Sequence, residues 1–238
     1  MKYVWATGTH QGRVRDHNED AVLPAASGSG EGPLLVAVAD GMGGAVAGEV
    51  ASGLAIEQLA SVPADVPDDP AARVMAANAR ILEAVRADPA LLGMGTTVTL
   101  CVFSPGGDLR IAHVGDSRAY LLRDDDMEQL TTDHTVVAEL IEMGHLDPSA
   151  AHSHPQRHLL TRTLGLGPVA IDEYQRDLST GDRVLVCSDG LTTMLSDGEI
   201  ARIASDQDVE GTVWSLIEAA NNAGGVDNTT VAVVDIVE

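Results

Sequence analysis

Apolar residues recur along the chain in two rhythms. Short, nearly continuous runs bounded by glycine, proline or aspartate predict strands near 2–8, 34–39, 96–103, 108–114, 118–123, 183–188 and 229–237. Longer stretches predict helices near 45–60, 70–87, 133–143, 197–204 and 208–222. In the first of these helices apolar residues fall at Val46, Val50 and Leu54, with Gly48 and Gly53 inside it. Two helical glycines cost about 1 kcal/mol each, and the usual return is close packing against a sheet.

The order of the elements narrows the fold class. From Thr96 to Thr132 the segments TTVTLCVF, LRIAHV and AYLLR are joined by the short turns SPGGD and GDSR, which predicts a meander. Parallel strands need connections of about a dozen residues or more, so these strands are antiparallel and a doubly wound nucleotide-binding sheet is disfavoured. The stretch Ala25 to Pro33 (AASGSGEGP) reads as a flexible turn, and Ser61 to Pro70 (SVPADVPDDP) as a helix-to-helix connection. With no long linker or repeat, one domain over residues 1–238 is expected.

Composition limits the chemistry. Apolar residues make up 45% of the chain but aromatics only 3%, so alanine, valine and leucine must fill the core. No apolar run approaches the roughly 18–20 residues of a membrane span, and the amino-terminal stretch lacks the apolar core of a signal peptide. A cytoplasmic location without membrane contact is therefore expected. Cys101 and Cys187 lie inside strand-like runs and read as reduced core residues. The formal charge of −22, from 14 basic and 36 acidic side chains, argues against a nucleic-acid partner. It also means that an anionic substrate is repelled at long range and must be captured by local features.

Carboxylates at the ends of buried runs are the salient candidates. LLVAVADGMGG ends its apolar run on Asp40, IAHVGDSR on Asp116 and VLVCSDG on Asp189, while GGVDNTT puts Asp227 before the last strand. RVRDHNEDAV adds Glu19 and Asp20, with Arg15 four residues ahead of Glu19. A carboxylate at a core edge is costly unless paired. Each taken singly reads more readily as a turn residue; together they call for a shared cation, and all-oxygen sets suit Mg²⁺ or Mn²⁺. Gly41 leaves its own carbonyl free to approach such an ion. The glycines after Asp40 do not make a dinucleotide loop, because Val46 stands at the last glycine position and no Walker lysine follows. His113 sits in a predicted strand and His152, His154 and His158 in a loop, so a zinc site is not expected. No G-x-S-x-G elbow supports a serine hydrolase. The two tryptophans read as packing residues.

In order, GRVRDHNEDAV, VADGMGG, GTTVT, AHVGDSRAYLLR, LTTDHT, HPQRHLLTRTLG, VLVCSDGLTTML and GGVDNTTVAVV resemble the bacterial form of the metal-dependent Ser/Thr protein phosphatases, the protein phosphatase 2C-like family. The resemblance covers essentially the whole chain. It implies an α+β fold, a four-layer αββα sandwich of two antiparallel sheets flanked by helices, with a metal cluster at one end. It further implies two tightly held Mn²⁺ or Mg²⁺ ions and a third, looser one. Asp40 would bridge two of them, with the Gly41 carbonyl and Glu19 serving one. Asp189 and Asp227 would hold the other, Asp20 would support the shell, and Asp116 with Asp189 would hold the third. Arg15 would clamp the substrate phosphate, a task suited to its planar fork. The implied reaction is hydrolysis of phosphoserine and phosphothreonine in proteins by a metal-activated water, without a phospho-enzyme, on substrates of a Ser/Thr kinase and by a monomer. Its rivals are a phosphatase dedicated to one regulatory protein or small ester, and a metal-binding scaffold without turnover. Met42 stands where animal relatives carry a histidine proposed as the leaving-group acid, which leaves that acid unassigned. Residues from about 131 to 165 match the family's flap, either a substrate selector or a plain helix-and-loop excursion.

Overall fold

The apolar runs become strands because both faces of most of them are covered. In a computed structural model of the protein, which describes residues 1–44, 47–62, 69–124, 126–205 and 207–238, the chain begins with β1 (Lys2–His10), β2 (Asp20–Leu23), β3 (Gly28–Glu31) and β4 (Leu34–Met42). Helices α1 (Ala47–Ala60) and α2 (Pro70–Ala87) follow, then β5 (Gly95–Thr96), β6 (Val98–Phe103), β7 (Asp108–Val114), β8 (Arg118–Arg123) and β9 (Asp126–Gln129). After α3 (Val136–Glu142) come β10 (Asp172–Asp177), β11 (Arg183–Cys187), α4 (Asp189–Thr192), α5 (Asp197–Ser205), α6 (Val209–Asn222) and β12 (Thr229–Val237). One sheet runs β3-β1-β12-β11-β8-β9 and the other β10-β7-β6-β4-β2, with β5 paired to β4. All named strand pairs are antiparallel.

Side-chain alternation sorts each strand between two cores. On β12, Ala232, Val234 and Ile236 point between the sheets, where they meet Val36, Val38, Phe103 and Ile111. Val231 and Val233 point outward onto Val213, Leu216 and Ile217 of α6. On β4, Leu35, Ala37 and Ala39 face Ala51, Ala55 and Leu59 of α1 and Val74, Ala77 and Ile81 of α2. The result is the four-layer αββα sandwich. Cys101 and Cys187 are buried and free, as expected, and burial pushes the Cys187 thiol up to about 12. No helix among the described residues is long and apolar enough to cross a membrane.

Several expectations need correction. The predicted meander is split: β6 and β7 pair in one sheet, but β8 pairs with β11 and β9 in the other. The GDSR turn is thus a step between sheets, which short turns allow as readily as a hairpin. Helix α1 buries Gly48, Ala51, Ser52, Ala55 and Leu59, leaving Val50 and Leu54 half-buried, because its small-residue stripe approaches the sheet more closely; Val46 lies outside the described residues. Gly48 does mark a close contact, whereas Gly53 has open space around it. The AASGSGEGP stretch contains β3, paired to β1. Strands β2, β5, β9 and β10 escape the periodicity argument because they are short or alternate with charged residues. Much of the predicted connection at 61–70 also lies outside the described residues. Trp5 packs on the inter-sheet core as expected, but Trp214 is 49% exposed.

His113 illustrates how tightly the second sheet is closed. Its ring is fully buried, with Nδ1 2.9 Å from the Thr99 hydroxyl and Nε2 3.1 Å from the Thr132 carbonyl. Burial, helped by neighbouring His134, pushes its pKa down to about 3. Between that value and the roughly 6.5 of an unfolded histidine, only the unfolded chain takes up the proton. Stability contributed by this group is therefore intact above about pH 6.5 and lost as pH falls, by up to about 1.4 kcal/mol per pH unit. Urea unfolding of wild type and His113→Gln between pH 7 and 5 should show a flatter pH slope in the variant. Equal slopes would mean that another group sets the acid limb.

Candidate metal centre

Strand direction gathers the carboxylates. Asp40, near the end of β4, sits opposite Asp20 at the start of antiparallel β2. β7 runs parallel to β4, since both are antiparallel to β6, so Asp116 follows at the same end of that sheet. In the other sheet, β11 ends just before Asp189 and its antiparallel neighbour β12 begins just after Asp227. Arg15, Glu19, Asp40, Gly41, Asp116, Asp189 and Asp227 line one open cleft of about 1360 Å³. Asp20 is the one expected residue outside the cleft lining; it stands opposite Asp40 in the strand pairing and accepts from the hydroxyl of Ser188, next to Asp189.

Neutral side chains fix these acids in place. The Asp40 N–H donates to Thr97 Oγ1 at 3.0 Å, and the Asp40 carbonyl accepts from the Thr97 N–H at 2.9 Å and the Thr96 hydroxyl at 2.8 Å. Thr97 Oγ1 also lies 2.7 Å from Ser117 Oγ, which ties Asp40 to the turn carrying Asp116. Gly41 packs so closely on α1 that a Cβ there would stand 2.2 Å from the Gly48 carbonyl oxygen, while one on Gly48 would stand 2.5 Å from Glu19 Oε1. Ser188 precedes α4 but leaves the helix uncapped, because its hydroxyl donates to Asp20 Oδ2 at 2.7 Å. Asn228 accepts from the Glu19 N–H and donates to the carbonyls of Gln11 and His17, each at 2.8 Å, shaping the loop that presents Arg15.

The electrostatics are those of an under-neutralised cluster. Burial first, and then repulsion from Asp20, Asp189, Asp116 and Asp227, hold the Asp40 carboxyl well above the usual carboxylate range. Asp116 is raised by burial and by Asp189, and burial pushes Asp20 up to about 7. Glu19 Oε1 and Asp20 Oδ1 are buried oxygens without a hydrogen-bond partner. Arg15 is the cation paired with the cluster, its Nη2 2.6 Å from Asp227 Oδ2. Among the described residues no three acidic, histidine or cysteine side chains already converge into a cation cage. The donor set is nonetheless all oxygen, rich in negative charge and short of partners, and it fits divalent hard cations.

Residues 7–224 match the family described as Protein phosphatase 2C. The chain belongs to this family. It is 43% identical over 239 residues to the serine/threonine protein phosphatase PstP of Mycobacterium tuberculosis, covering 98% of this chain but 45% of that protein. The chain thus spans about half the length of that relative. It is 37% identical to the protein phosphatase PhpP of Streptococcus pneumoniae, covering 97% and 96% of the two chains. The catalytic domain of PstP solved in complex with two manganese ions superposes with a TM-score of 0.89 at 40% identity, over 100% of both chains.

In this 2C-family chain, composition-based reasoning misses the neutral residues that hold the acids. Ser188 and Asn228 give no signal before the fold is known, whereas Thr96 and Thr97 stand in the GTTVT motif. It also passes over the four-residue spacing of His154 and His158. That spacing brings two rings together only on a helix, and residues 155–158 form a turn. His158 Nδ1 instead comes within 3.8 Å of Asp189 Oδ2 at the cleft wall.

Proposed function

We propose that this chain hydrolyses phosphoserine and phosphothreonine in proteins with the help of Mn²⁺ or Mg²⁺. The observation that carries the reading is the gathering of Glu19, Asp20, Asp40, Asp116, Asp189 and Asp227 at one end of the sandwich, with Arg15 paired to Asp227 and buried carboxylate oxygens left unpaired. Asp40 would bridge two ions, with Glu19 and the Gly41 carbonyl on one, Asp189 and Asp227 on the other, and Asp20 behind them. Asp116 with Asp189 would hold a third, looser ion. Bound divalent ions would supply a water acidic enough to attack phosphorus near neutral pH, without a phospho-enzyme.

This chain's own residues do the rest. Arg15 offers a half-exposed guanidinium at the cleft wall, suited to two oxygens of a phosphoryl group. Its present partner Asp227 would be released to a cation, leaving the fork for substrate. The acidic surface gives no long-range attraction for phosphate, so capture depends on this local contact. Met42 lines the cleft and carries no transferable proton, so it takes no part in leaving-group protonation. The reading extends to a single catalytic domain with a flap at about 131–165, acting in the cytoplasm as a monomer on targets of a Ser/Thr kinase. Similarity to PstP and PhpP supports the protein-substrate class.

Hydrolysis of a phosphothreonine peptide and of p-nitrophenyl phosphate is expected to vanish with chelator and return with added Mn²⁺. Undiminished turnover in excess chelator would overturn the proposal, and Mn²⁺ binding without turnover would favour the scaffold.

A further inference from the structure

His134, the histidine of the LTTDHT run, is 4% exposed and does not line the cleft. It is nevertheless bonded in both directions to Gly115. The His134 N–H donates to the Gly115 carbonyl at 2.7 Å, and the Gly115 N–H donates back to His134 Nδ1 at 3.1 Å. Gly115 holds φ at +115°, and a Cβ there would stand 2.5 Å from Thr97 Cβ. The turn that steps from β7 in one sheet to β8 in the other is therefore pressed against Thr97 on one side and clasped by His134 on the other.

The remaining contacts of the ring settle its tautomer. An N–H pointed at Nδ1 requires that nitrogen to be an acceptor, so the ring proton sits on Nε2. Nε2 lies 3.1 Å from Asp172 Oδ2, a good acceptor. Arg162 Nη1 also lies 3.2 Å from Nε2, but two donors cannot bond each other; its hydrogen bond is the 2.6 Å contact to Asp172 Oδ1. Asp172 is thus oriented by Arg162 and in turn orients His134. The Thr161 N–H donates to the His134 carbonyl at 2.8 Å, which joins the same unit to the end of the flap.

We infer that His134 is a positioning residue: by accepting the Gly115 N–H it holds the Gly115–Ser117 turn, and with it Asp116, in the place the reaction needs, while Asp172 keeps the ring in the tautomer that can do so. The catalytic part of this inference rests on the phosphatase reading above. An inter-sheet turn without this clasp would keep Asp116 in the cleft but leave its carboxylate free to swing. Displacements of about 1 Å at a reacting site cost up to about a hundredfold in rate.

Two near-isosteric variants separate the two ends of the ring. Asparagine at position 134 can place its Oδ1 where Nδ1 lies and still accept from Gly115; glutamine can place its Nε2 where the ring Nε2 lies and still donate to Asp172. Amide hydrogen exchange of Gly115 should be slow in wild type and His134→Asn, and fast in His134→Gln and His134→Ala. In the latter two, kcat toward a phosphothreonine peptide should fall about ten- to a hundredfold, with KM within about twofold of wild type because Arg15 is untouched. His134→Asn should keep most of kcat. Urea midpoints measured in parallel report structural damage, which asparagine and glutamine cause to similar degrees. Fast Gly115 exchange in wild type, matched exchange and kcat in the Asn and Gln variants, or a kcat loss that follows the urea midpoint overturns the inference. If the wild type hydrolyses no phosphopeptide, the phosphatase reading falls, and the exchange pattern at Gly115 still decides whether His134 holds the turn.

Discussion

Asp40→Asn should lower kcat on a phosphothreonine peptide by at least about a thousandfold, about 4 kcal/mol of transition-state stabilisation, and should raise the melting temperature of the metal-free protein. Asp189→Asn should match the loss of activity. The opposite signs follow from one cause. Asp40 lies among Asp20, Asp116, Asp189 and Asp227, and burial with their repulsion keeps its proton on well above the ordinary carboxylate range. In the window between an unfolded carboxylate's pKa, about 4, and that raised value, the folded chain retains a proton that the unfolded chain has released. The group therefore subtracts stability as pH rises through that window. Asparagine has the same shape and no charge, so the penalty disappears along with the proposed bridging ligand. Differential scanning calorimetry of chelated protein at pH 5 and 7 should show the variant gaining more at pH 7. With Mn²⁺ added at 100 times its dissociation constant, wild type should be stabilised by about 2.7 kcal/mol, and the variant by little. A variant that loses activity while the metal-free protein also becomes less stable would point to Asp40 as a structural residue.

The acids were legible in the sequence because each stands where an apolar run stops. Asp40 lies near the end of β4, and Asp116 and Asp189 follow β7 and β11; carboxylates in such positions have no bland explanation once several occur. What the run of residues could not reveal is which runs share a sheet. GDSR looked like a hairpin turn, yet β7 and β8 lie in different sheets and Asp116 sits at the step between them. Turn length alone does not distinguish the two cases, since both reverse the chain in a few residues. The positioning residues were hidden for a related reason. Ser188 and Asn228 stand beside the acids without any pattern of their own, and only the long-range fold shows that their side chains bond Asp20 and the Glu19 backbone. Short edge strands such as β9 and β10, with alternate charged residues facing solvent, gave too few apolar positions for a period to show.

Arg15→Ala should raise KM for phosphopeptide about ten- to a hundredfold while tightening Mn²⁺ binding. A charged, two-point contact is worth roughly 1.5–3 kcal/mol, and the net acidic chain offers no long-range attraction for phosphate in its place. Arg15 also competes for a carboxylate: its Nη2 sits 2.6 Å from Asp227 Oδ2, with both side chains partly open to solvent. Removing it frees Asp227 for a cation. A partly exposed ion pair is worth about 1 kcal/mol at most, so the gain in Mn²⁺ affinity should be no more than about fivefold. Arg15→Lys separates charge from geometry, since lysine keeps the positive charge near Asp227 but loses the planar fork. It should leave Mn²⁺ affinity near wild type and still raise KM. Calorimetric titration of Mn²⁺ into the substrate-free protein, run beside steady-state kinetics, reads both effects. Unchanged KM in both variants would leave Arg15 as an ion-pair partner of Asp227 and nothing more, and the phosphate would have to be captured by another group on the cleft wall, with Arg157 and Arg162 as the other arginines lining it.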